Sequence, residues 1–167
     1  MSPARRAHIE RVAALLERWA SDMAVPAAER RRWLRAAYLH DALKDAPLHA
    51  LREWAGSALP HPKLVHGPAA AARAAREGET DRGVLDAVRY HSVGYAGWDQ
   101  VGRMLYLADY LEPGRGVQDR ARQALCDRVP FQMPVVLRAV ARERIAYLLN
   151  AGKRLQPETV EFWRTLA

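Results

Sequence analysis

The sequence predicts an all-α fold, and three observations carry that expectation. Apolar residues recur at three- and four-residue spacing, as in Val12, Leu15, Leu16 and Trp19, the mark of a helix with one face in a core. No stretch of useful length shows the strict apolar-polar alternation of a half-buried strand. Breakers stand between the periodic segments rather than inside them: Val25-Pro26, Pro47, Gly78, Pro113-Gly114 and Gly152.

The elements follow in order. A first helix spans Arg5 to Ala20, with His8 on the same face as Val12 and Leu15. A second runs from about Ala27 to Lys44 and a short third from Leu48 to Trp54. GSALPHPK reads as a loop. In LVHGPAAAARAAREG, Pro68 suits the first helical position, with Gly67 as cap, Gly78 as stop and His66 just ahead of the start. Thr80 can cap the next helix, whose stripe Val84, Leu85, Val88 leads to His91. Asp99 opens VGRMLYLADYLE, where Leu105 and Tyr106 share a face with Asp109. Helices over about Val117–Cys126, Met133–Asn150 and Pro157–Leu166 complete the chain.

Length and composition fit one globular domain: 167 residues, half of them hydrophobic. No apolar run approaches the ~20 residues of a membrane helix, and Arg11, Glu17 and Arg18 interrupt any signal-like core near the start. Cys126 is the only cysteine, so an internal disulfide is excluded and a cytoplasmic setting is expected. The net charge of +7 suits anionic partners. The arginines are nevertheless scattered among acids, and the single cluster, Arg30 to Arg32, reads as a solvated helix face. A specific nucleic-acid partner is therefore not expected, nor is a membrane.

The chemistry concentrates in AAYLHDALKD, residues 36 to 45. The stripe Leu34, Ala37, Tyr38 continues onto Asp41, and Trp33 and Ala37 lead to His40, so both polar groups aim inward. A buried unpaired carboxylate costs several kcal/mol. Alone, the pair also fits a hydrogen-bonded couple at a helix end. With His8, His66, His91 and Asp109 it makes six inward histidines and aspartates, leaving His49 and His61 for the surface. A shared metal centre would satisfy them together. Imidazole and carboxylate donors without thiolates suit iron, manganese, zinc or cobalt. Six ligands exceed what one catalytic ion can use with a position open, so two ions fit better.

The segments AHIERV, YLHDALKD, LVHGPAAAA, AVRYHSVG and LYLADYLEPGR resemble, in this order, the motifs of HD-domain metal-dependent phosphohydrolases. More narrowly they resemble the YqeK-type branch, the symmetrical bis(5'-nucleosyl)-tetraphosphatases. The resemblance implies one HD domain over 1–167, with a metal-site core at about 5–115 and C-terminal packing helices at about 117–166. It implies His8, His40 and Asp109 on one ion, His66 and His91 on a second, and Asp41 touching both. Iron is the first expectation, with manganese, cobalt, zinc and magnesium as alternatives. The loop after His91 departs from the branch, because SVGYAGWDQ lacks its arginine and proline.

The implied reaction is hydrolysis of a small nucleotide, diadenosine tetraphosphate, to two ADP by a hydroxide bridging the metals. Asp41 and Lys44 are the catalytic candidates, and Lys44, Arg115 and Arg89 the candidate substrate contacts. Tyr95 and Trp98 either stack on adenine or pack on their own domain. Another nucleotide substrate, a nucleoside monophosphate or a deoxynucleoside triphosphate, suits the same centre. A non-catalytic nucleotide- or RNA-binding module with a structural metal is the alternative of another class. A homodimer is compatible with all of these.

Overall fold

The computed structural model describes residues 1–56, 62–114 and 120–166. Among them the chain forms α1 (Pro3–Asp22), α2 (Ala27–His40), α3 (Leu48–Ala55), a 3-10 turn (Pro62–Leu64), α4 (His66–Arg76), α5 (Arg82–Tyr90), α6 (Gln100–Leu111), α7 (Arg120–Asn150) and α8 (Pro157–Arg164), and no strand. The all-α expectation holds. His61 lies outside the described residues, as do Arg115 and the expected helix start at Val117.

Helix α2 is the axis, touching α1, α4, α5 and α6. Its inward face is Trp33, Ala36, Ala37 and His40, and the alanines let the neighbouring helices approach closely. Around it Leu16, Trp19, Val84, Val88, Met104, Leu105 and Leu107 bury a single apolar cluster. Burying each large side chain contributes roughly 1.5–3 kcal/mol. Tyr38 was expected on this face but is 56 % exposed.

Several ends differ from the sequence reading for physical reasons. Helix α2 stops at His40, four residues early, and residues 41 to 46 tighten into turns with bonds from Ala42 to Leu39, Lys44 to Asp41 and Ala46 to Leu43. Asp41 is thus the C-cap, turned inward by the helix end rather than carried there by a helical stripe. Helix α4 begins at His66, so Gly67 belongs to its first turn instead of capping it. A Cβ on Gly67 would lie 2.8 Å from the Arg89 carbonyl oxygen and 3.3 Å from the His91 ring, so glycine lets α4 sit directly on the end of α5. Asp81, not Thr80, caps α5 by accepting from the Val84 N–H. Gly78 does stop α4, with φ +105° and the paired closing bonds Glu79 to Ala74 and Gly78 to Ala75.

Helix α7 runs past Cys126, because Cys126 and Val129 bury the same face. It bends at Gln132, between Pro130 and Pro134, where φ −140° leaves the helical region. The loop aromatics are structural. Trp98 is buried against Tyr106 and Phe162 and donates to the Asp86 carbonyl, while Tyr95 stacks on Tyr90 at 4.3 Å.

Arg32 also departs from its expected role as a solvated residue. It donates to Asp81 at 2.7 and 2.9 Å, to Asp99 at 2.7 Å and to Glu29 at 2.7 Å. Asp81 and Asp99 are the N-caps of α5 and α6, so one guanidinium ties α2 to both helix starts. No described helix is long and apolar enough to cross a membrane.

Candidate metal centre

Five helices and their ends bring the six candidate residues together. His8 comes from the second turn of α1, His40 closes α2, Asp41 caps it, His66 opens α4, His91 caps α5 and Asp109 lies near the end of α6. All six are buried. The outward nitrogens of the imidazoles are committed. His40 Nδ1 is 2.6 Å from the Ala37 carbonyl, His66 Nδ1 2.9 Å from that of Lys63, and His91 Nδ1 2.7 Å from that of Val88. A carbonyl only accepts, so each Nδ1 carries the hydrogen and each Nε2 faces the interior.

Asp41 stands between two groups of these nitrogens. Its Oδ2 is 3.7 Å from His8 Nε2 and 3.8 Å from His40 Nε2. Its Oδ1 is 3.1 Å from His66 Nε2 and 3.4 Å from His91 Nε2. Asp109 Oδ1 joins the first group, 3.1 Å from His8 Nε2 and 3.8 Å from His40 Nε2. Within the groups, His8 and His40 approach to 3.3 Å and His66 and His91 to 3.0 Å.

Electrostatics show what this geometry demands. Burial pushes the His40 imidazole down to about 4, against the pull of Asp41, and does the same to His66. Both are therefore neutral at pH 7, and their Nε2 atoms carry lone pairs. Burial acts to raise the Asp41 carboxyl; only a proton or a metal ion at the Nε2 atoms of His66 and His91 makes those imidazoles partners that hold it down as an anion. Oδ1 is buried without a hydrogen-bond partner. A carboxylate oxygen facing nitrogen lone pairs is unfavourable until a cation sits among them. The donor set thus fits a metal: His8, His40 and Asp41 form one group of suitable geometry, and Asp41, His66 and His91 another.

The sequence matches the HD domain family over residues 5–114. The chain belongs to the HD-domain family. The symmetrical bis(5'-nucleosyl)-tetraphosphatase of Bacillus subtilis (strain 168) is 36 % identical over 135 residues, covering 74 % of this chain and 70 % of that protein. The enzyme of the same name from Halalkalibacterium halodurans is 30 % identical over 108 residues, 62 % of this chain and 55 % of that one. A crystal structure described as a predicted HD superfamily hydrolase involved in NAD metabolism, from Clostridium acetobutylicum, superposes with a TM-score of 0.86. It is 23 % identical and covers 99 % of this chain and 90 % of its own, a likeness of fold.

Of the other candidates in this HD domain, Lys44 reaches the centre, with Nζ 2.8 Å from His66 Nε2 and 3.8 Å from Asp41 Oδ1. With Lys63, Leu48, Leu51 and His66 it lines a cavity of about 220 Å³ beside the cluster. Arg89 is exposed on the last turn of α5, and Arg115 lies outside the described residues. His49 is exposed, as expected.

Sequence reasoning missed four neighbours. Arg5 donates to Asp41 Oδ2, Ser92 Oγ lies 3.1 Å from His91 Nε2, and Glu112, held by Arg11, meets His8. Arg5 and Glu112 stand three residues from His8 and Asp109, the spacing of one helical turn, which was the available signal.

Proposed function

We propose that the chain is a metal-dependent phosphoric anhydride hydrolase that cleaves diadenosine tetraphosphate symmetrically into two ADP. One observation carries the reading. Asp41 presents one oxygen to His8 and His40 and the other to His66 and His91, the placement of a carboxylate shared by two cations. The names of the Bacillus subtilis and Halalkalibacterium halodurans relatives support the substrate.

In this reading His8, His40, Asp109 and Asp41 would hold one ion, and His66, His91 and Asp41 would hold the other. Iron is the first choice, and the donors also suit manganese, cobalt or zinc. When bound, such ions acidify water to a pKa near 7 and polarise a phosphoryl oxygen. The chain's own part is to orient and to neutralise. Backbone carbonyls lock three imidazoles with Nε2 inward, and the two aspartates fix the charge of the site. Lys44, within reach of the same centre, is the proposed clamp on phosphate oxygens, helped by Arg115 and Arg89. Water adds its oxygen to a central phosphorus, the bridging P–O bond breaks, and ADP leaves.

The +7 charge does not argue for a polyanion. Arg5, Arg11 and Arg32 are engaged with carboxylates inside the fold. Only non-specific nucleic-acid binding, with Kd of about 10⁻⁴ to 10⁻⁶ M, is expected at physiological salt. A cytoplasmic location goes with this reading.

The test is product analysis of metal-loaded protein given diadenosine tetraphosphate. ADP as sole product supports the proposal. AMP with ATP, or turnover of nucleoside monophosphates alone, overturns it.

A further inference from the structure

Three of the four clustered histidines are oriented locally, each by the carbonyl three residues before it: Ala37 for His40, Lys63 for His66 and Val88 for His91. They can be, because they stand at helix ends, where carbonyls are left without helical partners or the chain is still turning. His8 has no such recourse. It sits inside α1, where the carbonyls behind it are engaged in the helix's own bonds.

Its Nδ1 instead lies 3.2 Å from Glu112 Oε1, a residue 104 positions away. Glu112 caps α6 and is 1 % exposed. Its other oxygen, Oε2, accepts from Arg11 Nε at 2.6 Å and from the Gly114 N–H at 2.7 Å. Arg11 follows His8 by three residues on the same helix, so α1 supplies both the imidazole and the guanidinium, and the carboxylate lies between them.

We propose that Glu112 is the positioning residue of His8: it selects the tautomer with hydrogen on Nδ1, and Arg11 and the Gly114 N–H hold it in place. An imidazole without a fixed acceptor distributes its hydrogen over both nitrogens, and in one tautomer Nε2 has no lone pair to offer. A carboxylate acceptor also makes the opposite nitrogen a stronger donor than a carbonyl does. Only the half that contains His8 therefore depends on an acceptor from a distant helix. His66 and His91 depend on their own helix ends, whereas His8 depends on the packing of α1 against α6. The consequence for metal rests on reading the cluster as a metal centre. Loss of Glu112 weakens one of two metal equivalents by roughly 10- to 100-fold, the range for such outer partners, and spares the other.

Nitrogen-15 NMR of the histidine side chains in metal-free protein decides the tautomer directly. Asp109 Oδ1, 3.1 Å from His8 Nε2, is the competing acceptor, and the wild type should still show His8 with hydrogen on Nδ1. Glu112→Ala should move it partly to Nε2, and Glu112→Gln, which keeps a carbonyl acceptor, should largely restore it. Arg11→Ala, at a half-exposed side chain, leaves Glu112 in place but loosened and should give a smaller shift in the same direction; it decides the question if Glu112→Ala does not fold. Manganese titration by calorimetry should then show one weakened and one unchanged equivalent in Glu112→Ala. An unaltered His8 tautomer in these variants overturns the proposal, as does equal weakening of both equivalents. A purely structural Glu112 would lower Tm in every variant without moving the tautomer. The tautomer is read without metal, so a wild type that bound none would remove the metal reading alone.

Discussion

Two charge clusters lie along α2, one in its N-terminal half and one at its C-terminal end, and they are built on opposite rules. At Arg32 one guanidinium meets Asp81, Asp99 and Glu29 in bonds of 2.7 to 2.9 Å. Donors and acceptors match, and the result is a tie between three helices. At Asp41 a buried carboxylate is ringed by imidazoles whose hydrogens are spent on carbonyls, and Oδ1 has no donor. The first cluster is complete in itself. The second is an assembly of acceptors, which is poor architecture for stability and suitable architecture for cations. Charge satisfaction, more than charge or burial, separates a structural cluster from a functional one here.

Removing the central charged residue of each cluster separates the two cases most strongly. Asp41→Ala should abolish hydrolysis and lose most bound metal, while the unfolding free energy of metal-free protein changes by no more than about 1 kcal/mol, since the lost ion pair with Arg5 is offset by removal of the donorless Oδ1. Full metal occupancy in that variant would end the assignment of Asp41 as the shared ligand. Arg32→Ala should do the reverse. It leaves the Asp99 carboxylate without its guanidinium and Asp81 with Arg35 alone, at 3.1 Å, and should cost about 1–3 kcal/mol, between the values for exposed and buried pairs. Metal uptake and turnover per folded molecule should hold. Urea unfolding with metal analysis of both variants reads the contrast.

A second comparison lies within the centre. His40→Ala removes a ligand from the group of His8, Asp109 and Asp41, and His66→Ala one from the smaller group of His91 and Asp41. The smaller group should fail first without damage to the other, so His66→Ala should retain more metal than His40→Ala. Equal losses in the two variants would contradict this partition.

The sequence was most legible where the physics is local. Helical periodicity and breakers located the described α-helices, though they split α7 in two, because each stripe is decided by residues a turn apart. The six histidines and aspartates were visible as inward polar groups for the same reason. Asp41 was aimed correctly but by a wrong route: a helical stripe was expected to carry it, whereas the helix stops at His40 and turns it in. What stayed hidden is tertiary. Nothing near Arg32 in sequence announces Asp81 and Asp99, 49 and 67 residues on, and Glu112 gains meaning only once α6 lies beside His8. Gly67 looked like a cap because its tight neighbour, the Arg89 carbonyl, belongs to another helix.

The smallest expected effect sharpens the claim that the Arg32 cluster is a matched one. Asp81 accepts from Arg32 and from the Val84 N–H, and the guanidinium holds its carboxyl down at about 2, against about 3.9 for a free aspartate. The unfolded chain therefore binds a proton there before the folded one does. Stability from this group is fully present above about pH 4, declines as pH falls, and is lost on passing through about 2. Asp81→Asn separates charge from capping, since asparagine caps as well as aspartate. At pH 7 the variant should be modestly less stable than the wild type, having lost the ion pair but kept the cap. As pH falls from 4 toward 2 the gap between them should close, because the wild-type carboxylate is being neutralised while the amide is not. Chemical unfolding followed across that range gives the answer. A gap that stayed constant down to pH 2 would mean that the charge of Asp81 contributes nothing and that the cap alone holds the start of α5.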